Sequence, residues 1–130
     1  MKFYIYLFGL LFLFSCDHFT SKRNLICGDK AGYWDCVDKG SHNTGYCFYN
    51  TGKYAIYCYR QNKRYEQKAG LTGNTDEWKL VNDTVLVIEN INVKILKLTT
   101  DSLIIQEGQE PPFISKFKRS PNQSDPVILK

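Results

Sequence analysis

Apolar and polar positions change rhythm twice along this chain. Residues Phe3 to Phe14 are apolar without a break, and 17–26 (DHFTSKRNLI) are polar with little periodicity. From residue 31 onward, short alternating runs are separated by turn residues, a pattern that predicts strands rather than helices. The clearest unit is Gly45 to Tyr49, then Asn50-Thr51-Gly52, then Lys53 to Tyr59. A three-residue loop with a bulge at Gly52 sets Tyr49 opposite Lys53 and Phe48 opposite Tyr54. A second unit joins Trp78–Val81 to Thr84–Glu89 through Asn82-Asp83, and a third joins Val93–Thr99 to Ser102–Gln106. Phe113 to Arg119 forms a last strand, and the tail 120–130 reads as flexible. Roughly eight or nine short strands joined by hairpins, with no helices to cover them, must roll up to hide one face. The expected fold is therefore all-β, a small antiparallel up-and-down β-barrel over 30–119. A two-sheet sandwich is the alternative.

The leading apolar run, roughly 12 residues, spans about 18 Å as a helix against about 30 Å of hydrocarbon core. That is too short to cross a bilayer and suits the hydrophobic part of a signal peptide, with Lys2 as its positive end. It ends Leu13-Phe14-Ser15-Cys16, which resembles the lipobox of bacterial lipoprotein signal peptides. The resemblance implies diacylglycerol on the Cys16 thiol, cleavage before Cys16 and acylation of the new amine. Residues 1–15 are then signal peptide and 16–29 a lipidated tether. The expected location is the bacterial cell envelope, anchored to a membrane (the outer one favoured), with the domain in the periplasm or at the cell surface. Plain signal-peptide cleavage with an incidental cysteine is the competing reading.

Four cysteines remain beyond Cys16, and an even number in an exported chain reads as two disulfides. Strand alternation puts Cys36 and Cys58 on the inner face and Cys47 on the outer one, so the expected pairs are Cys36–Cys58 and Cys27–Cys47. The formal charge is +4, one unit less once Lys2 is removed, too mild to argue for nucleic acid.

Gly32-Tyr33-Trp34, opening the first strand, matches the G-x-W motif of lipocalins, in which the tryptophan plugs one barrel end and an arginine near the last strand packs across it. Arg119 is the matching arginine. Tyr46-x-Phe48, Asn50-x-Gly52-x-Tyr54, Trp78-x-Leu80 and Asp101-Ser102-Leu103 further resemble small lipocalin-like domains of bacterial lipoproteins. The resemblance implies a non-enzymatic binding module for a small or amphipathic ligand, with Tyr54, Ile56, Trp78 and Leu80 as candidate contacts. A protein-interaction lipoprotein with a solid barrel, meeting an envelope protein through outward Tyr57 and Tyr59, is the alternative.

Little else carries chemistry. A metal site on Cys27, Cys36, His42 and Cys47 lacks C-x-x-C spacing, so no metal or other cofactor is expected. Ser41-His42 lacks a nucleophile elbow, and Asp35, Asp38, Asp76 and Glu77 lack catalytic spacing. The run Arg60, Lys63, Arg64, Lys68 reads as a solvated hairpin, or as a contact for anionic headgroups.

Overall fold

The computed structural model describes residues 21–37, 43–67, 77–108 and 111–128. Ten strands follow in order: β1 (Ala31–Cys36), β2 (Thr44–Tyr49), β3 (Tyr54–Arg60), β4 (Lys63–Glu66), β5 (Trp78–Asn82), β6 (Val85–Ile88), β7 (Ile91–Leu98), β8 (Ser102–Glu107), β9 (Phe113–Arg119) and β10 (Val127–Ile128). They make one sheet in the order β10-β4-β3-β2-β1-β9-β8-β7-β6-β5. Every pairing is antiparallel except that of β10 on β4. The all-β expectation holds, with ten strands among the described residues where eight or nine were expected.

Alternation explains how the sheet buries one face. In β7, Val93 and Ile95 are buried while Asn92 and Lys94 are exposed, because successive side chains leave a strand on opposite sides. The inward set, including Trp34, Phe48, Leu86, Val93, Leu103 and Ile105, forms one hydrophobic core. Since β9 returns to pair with β1, two meanders extend from the middle of the sheet, and its curl brings β3 back towards β5. The seam is crossed by a bridge between Lys53 and Glu77, whose side chains also form an ion pair at 3.5 Å. The Trp78 amide donates to the Gly52 carbonyl beside it at 2.9 Å. The result is a half-barrel.

A short helix over 21–27 lies across one end. This corrects the tether expectation, whose earlier residues lie outside the described ones. Ile26 and Cys27 are fully buried against the inner core, while Lys22 reaches Asp83 and Arg23 donates to the Asn50 carbonyl. Two buried side chains in seven residues are too few to produce a readable period. Gly32 is required here, since a Cβ on it would overlap the Ile26 carbonyl.

The tail is not loose either. Residues 120–128 fold back over the outer face of β1–β4, and β10 pairs with β4, Val127 opposite Arg64. Tyr33, Cys47, Ala55, Tyr57 and Val127 form a second, smaller core there. Gln123 fixes the strap by donating to the Tyr33 carbonyl and accepting from its amide, both at 3.0 Å.

None of Cys27, Cys36, Cys47 and Cys58 is in a disulfide. Cys27 belongs to the inner core and Cys47 to the outer one, so the sheet separates them. Cys36 and Cys58 share the inner face, but β2 lies between their strands. Two strand spacings are about 9.6 Å, beyond the roughly 7 Å a disulfide spans between Cα atoms.

Candidate functional site

A second group of inward side chains lies at the end away from the helix. Cys36, Tyr46, Ile56 and Ile91 are only partly buried where they pack on the core. Two carboxylates reach this region. Glu89 occupies the two-residue turn between β6 and β7, with φ of 52° there and 66° at Asn90, the geometry of a type I′ hairpin. Asparagine and glycine suit that turn. A glutamate at positive φ is strained by about 1–2 kcal/mol, yet Glu89 is only 5% exposed. Glu107 ends β8 and shares the inward parity of Leu103 and Ile105.

Both carboxylates act on the same two phenols. The Tyr54 hydroxyl donates to Glu89, and its pKa is driven far above the ordinary phenol range by burial first and then by Glu89. Tyr46 is pushed up to about 12 by burial, with the charges of Glu107 and Glu89 adding to it. Its ring lies 5.9 Å from Tyr54 and 4.9 Å from Phe117. Carboxylate oxygens are thus set beside aromatic rings at this end of the inner face. Such a site complements a group that carries N–H donors or a positive charge next to an apolar body.

Burial alone raises the Glu107 carboxyl above its ordinary range. An acid with a higher pKa folded than unfolded stabilises the fold only while protonated. That contribution is complete below the unfolded value near ~4.3 and is lost as pH rises through the folded one. Glu107→Gln stays neutral throughout. Urea denaturation is expected to find variant and wild type alike in acid, and the variant more stable at pH 7.

Of the four candidate contacts, Tyr54 is the one that reaches this cluster, with Ile56 half-buried on the same strand face. Trp78 serves the seam instead: its Nε1 donates to the Tyr49 carbonyl at 2.8 Å and its ring meets Phe48 at 5.3 Å. Leu80 is a core residue. Glu89 and Glu107 escaped the sequence reading, because one looked like the last residue of a strand and the other lay just beyond the end of one. Cys16, Asp38, Ser41, His42, Lys68 and Asp76 lie outside the described residues.

Trp34 and Arg119 face each other across β1 and β9, with the guanidinium carbon 5.1 Å from the indole centroid. The indole Nε1 donates to the Ile26 carbonyl at 2.9 Å, and Arg119 donates to the Leu25 carbonyl. Strand, arginine and helix are thereby locked at the closed end.

The outward tyrosines do not form an exposed row. Tyr57 is fully buried beneath the strap, and its hydroxyl and that of Tyr59 donate to the same Asp35 oxygen at 2.8 and 2.7 Å. Arg64, expected in a solvated run, is 1% exposed, with its guanidinium carbon 4.0 Å from the Tyr33 centroid. It donates to the Asp125 and Asn122 carbonyls and to Ser120 Oγ. The interaction surface proposed for Tyr57 and Tyr59 is therefore occupied by the chain's own C-terminal segment.

Burial pushes the Cys47 thiol up to about 11. Cys27 is raised as well, desolvation outweighing the nearby Arg23. Both thiols stay protonated at neutral pH and are poor nucleophiles. Iodoacetamide is expected to label them only after unfolding, and mass spectrometry with and without urea checks this. Among the described residues no three His, Cys, Asp or Glu side chains gather as a metal would need, and no helix is long and apolar enough to cross a membrane.

Fold and site together define a curled, mostly antiparallel half-barrel closed at one end by a helix, with an acidic, tyrosine-lined region at the other. In comparisons with known proteins, no family model and no curated protein matches the chain.

Proposed function

We propose that this protein is a lipid-anchored envelope lipoprotein whose lipocalin-like half-barrel holds a small amphipathic ligand at its mouth. The ligand's donor-bearing or cationic end meets Glu89 and Glu107, and its apolar body lies against Tyr46, Ile56 and Phe117. Glu89 carries this reading. Its carboxylate is held in a strained turn with the Tyr54 hydroxyl against it, and backbone strain of this kind gathers where a site has to be preorganised. Support for the lipocalin-like character comes from the Trp34–Arg119 stack beneath the closing helix. Support for the anchor comes from the leader ending in Leu13-Phe14-Ser15-Cys16.

The test is isolation of the protein from its native envelope under non-denaturing conditions, followed by solvent extraction. An amine or similar donor-bearing amphiphile recovered at near one per protein is the expected result. Extracts holding no compound in proportion to protein would argue against the site. The same sample's N-terminal peptide is expected to carry acyl mass on Cys16.

A further inference from the structure

The outer surface of β5–β9 carries charge of a single sign. Lys79, Lys94, Lys97 and Lys118 are exposed on it. The one carboxylate in these five strands, Glu107, belongs to the inward set. Exposed apolar side chains sit among the lysines: Val81 at 51%, Leu96 at 43% and Ile114 at 45%. A register shift between Ile95 and Lys97 turns Leu96 and Lys97 outward together. Lys94 and Gln106 also line an open groove of about 580 Å³ running past Val85. Neighbouring strands are about 4.8 Å apart, so the face is about 19 Å wide.

We infer that this face docks on an anionic phospholipid surface. Lysines attract acidic headgroups, each contributing roughly a fivefold gain in binding near the surface. The interspersed valine, leucine and isoleucine suit the boundary between headgroup and acyl chain, a place where basic and apolar side chains are used together. The chain's own connection favours this occupant over an acidic protein. The helix over 21–27 holds Lys22 against Asp83, in the hairpin that joins β5 to β6 at the corner of the face. Residue 21 is five positions from Cys16, an extended reach of about 17 Å. The inference therefore rests on the lipid-anchor reading for its location, while the charge pattern stands without it.

The mature protein is reconstituted into vesicles of phosphatidylcholine alone, or with 30% phosphatidylglycerol, and its lysines are acetylated by a water-soluble reagent. Peptide mass spectrometry then compares Lys94, Lys97 and Lys118 with Lys63, an exposed lysine on β4. On anionic vesicles the three are expected to react about tenfold more slowly than on neutral ones, and high salt is expected to abolish the difference. Lys63 should react alike on both. In cosedimentation at low salt, the Lys79→Gln, Lys94→Gln, Lys97→Gln, Lys118→Gln variant is expected to lose tenfold or more of any binding that survives removal of the acyl chains. Equal acetylation on both vesicles overturns the inference and leaves the face to an acidic protein partner. Intact mass of the same sample reports the acyl chains separately, so failure of the anchor and failure of docking give different results.

Discussion

Arg64→Ala is expected to release the C-terminal strap and to cost about 3–5 kcal/mol of stability. The guanidinium is the charged link between sheet and strap, beside the Gln123–Tyr33 hydrogen bonds and the packing of Val127 in the outer core. It lies over Tyr33 and donates to Ser120, Asn122 and Asp125, while β10 adds only two residues of pairing. Charge-assisted hydrogen bonds contribute roughly 1.5–3 kcal/mol apiece but not additively, and a desolvated cation over an aromatic ring adds about 2 kcal/mol. Arg64 Nε is buried without a hydrogen-bond partner, so this stabilisation is achieved despite one unsatisfied donor. Once the arginine is gone, Tyr57 and the Cys47 thiol beneath the strap become accessible. Limited proteolysis should cut between 120 and 128 in the variant and not in the wild type, with the urea midpoint shifted to match. Arg64→Lys keeps the charge and loses the planar fork, so it should fall between the two. A tail equally protected in Arg64→Ala would contradict this role.

Trp34→Ala is expected to be at least as damaging, removing about 3–5 kcal/mol from a domain whose total stability is of the order of 5–15 kcal/mol. Trp34 is fully buried, stacks with Arg119 and ties down the helix through Ile26. Its loss opens a cavity at the closed end and strands the Ile26 carbonyl. Trp34→Phe keeps most of the ring and loses the donor, so a smaller cost of about 1–3 kcal/mol is expected. Urea unfolding followed by far-ultraviolet dichroism orders the three proteins. Equal midpoints for wild type and Trp34→Ala would mean that the helix and the arginine close the barrel without the indole.

What was legible in the sequence was whatever local chemistry decides. The hairpin through Asn50-Thr51-Gly52 has the expected register, with Gly52 at φ of 91° and Phe48 opposite Tyr54, because loop length and glycine determine it. The outward parity of Cys47 likewise followed from a period of two. What was hidden depends on partners distant in the chain. The basic run containing Arg64 looks solvated, since the carbonyls that bury it come from 122 and 125. Residues 21–27 look like a spacer because only Ile26 and Cys27 are fully buried, and the glycine that admits them, Gly32, lies beyond the helix. The expected disulfides failed on tertiary placement, which alternation does not reveal: β2 stands between Cys36 and Cys58, and the helix sets Cys27 on the face opposite Cys47. Glu89 is the same lesson at the site. Its neighbour Asn90 marks the turn, but the carboxylate's burial against Tyr54 is a tertiary fact.

The most direct test of the binding proposal is native mass spectrometry of wild type, Glu89→Gln and Tyr54→Phe, each purified from the native envelope and freed of its acyl chains. The account predicts one discrete added mass on the wild type, reduced at least tenfold in occupancy in Glu89→Gln and weakened in Tyr54→Phe. The same bare polypeptide mass for all three, or an added mass that both substitutions leave untouched, would contradict it.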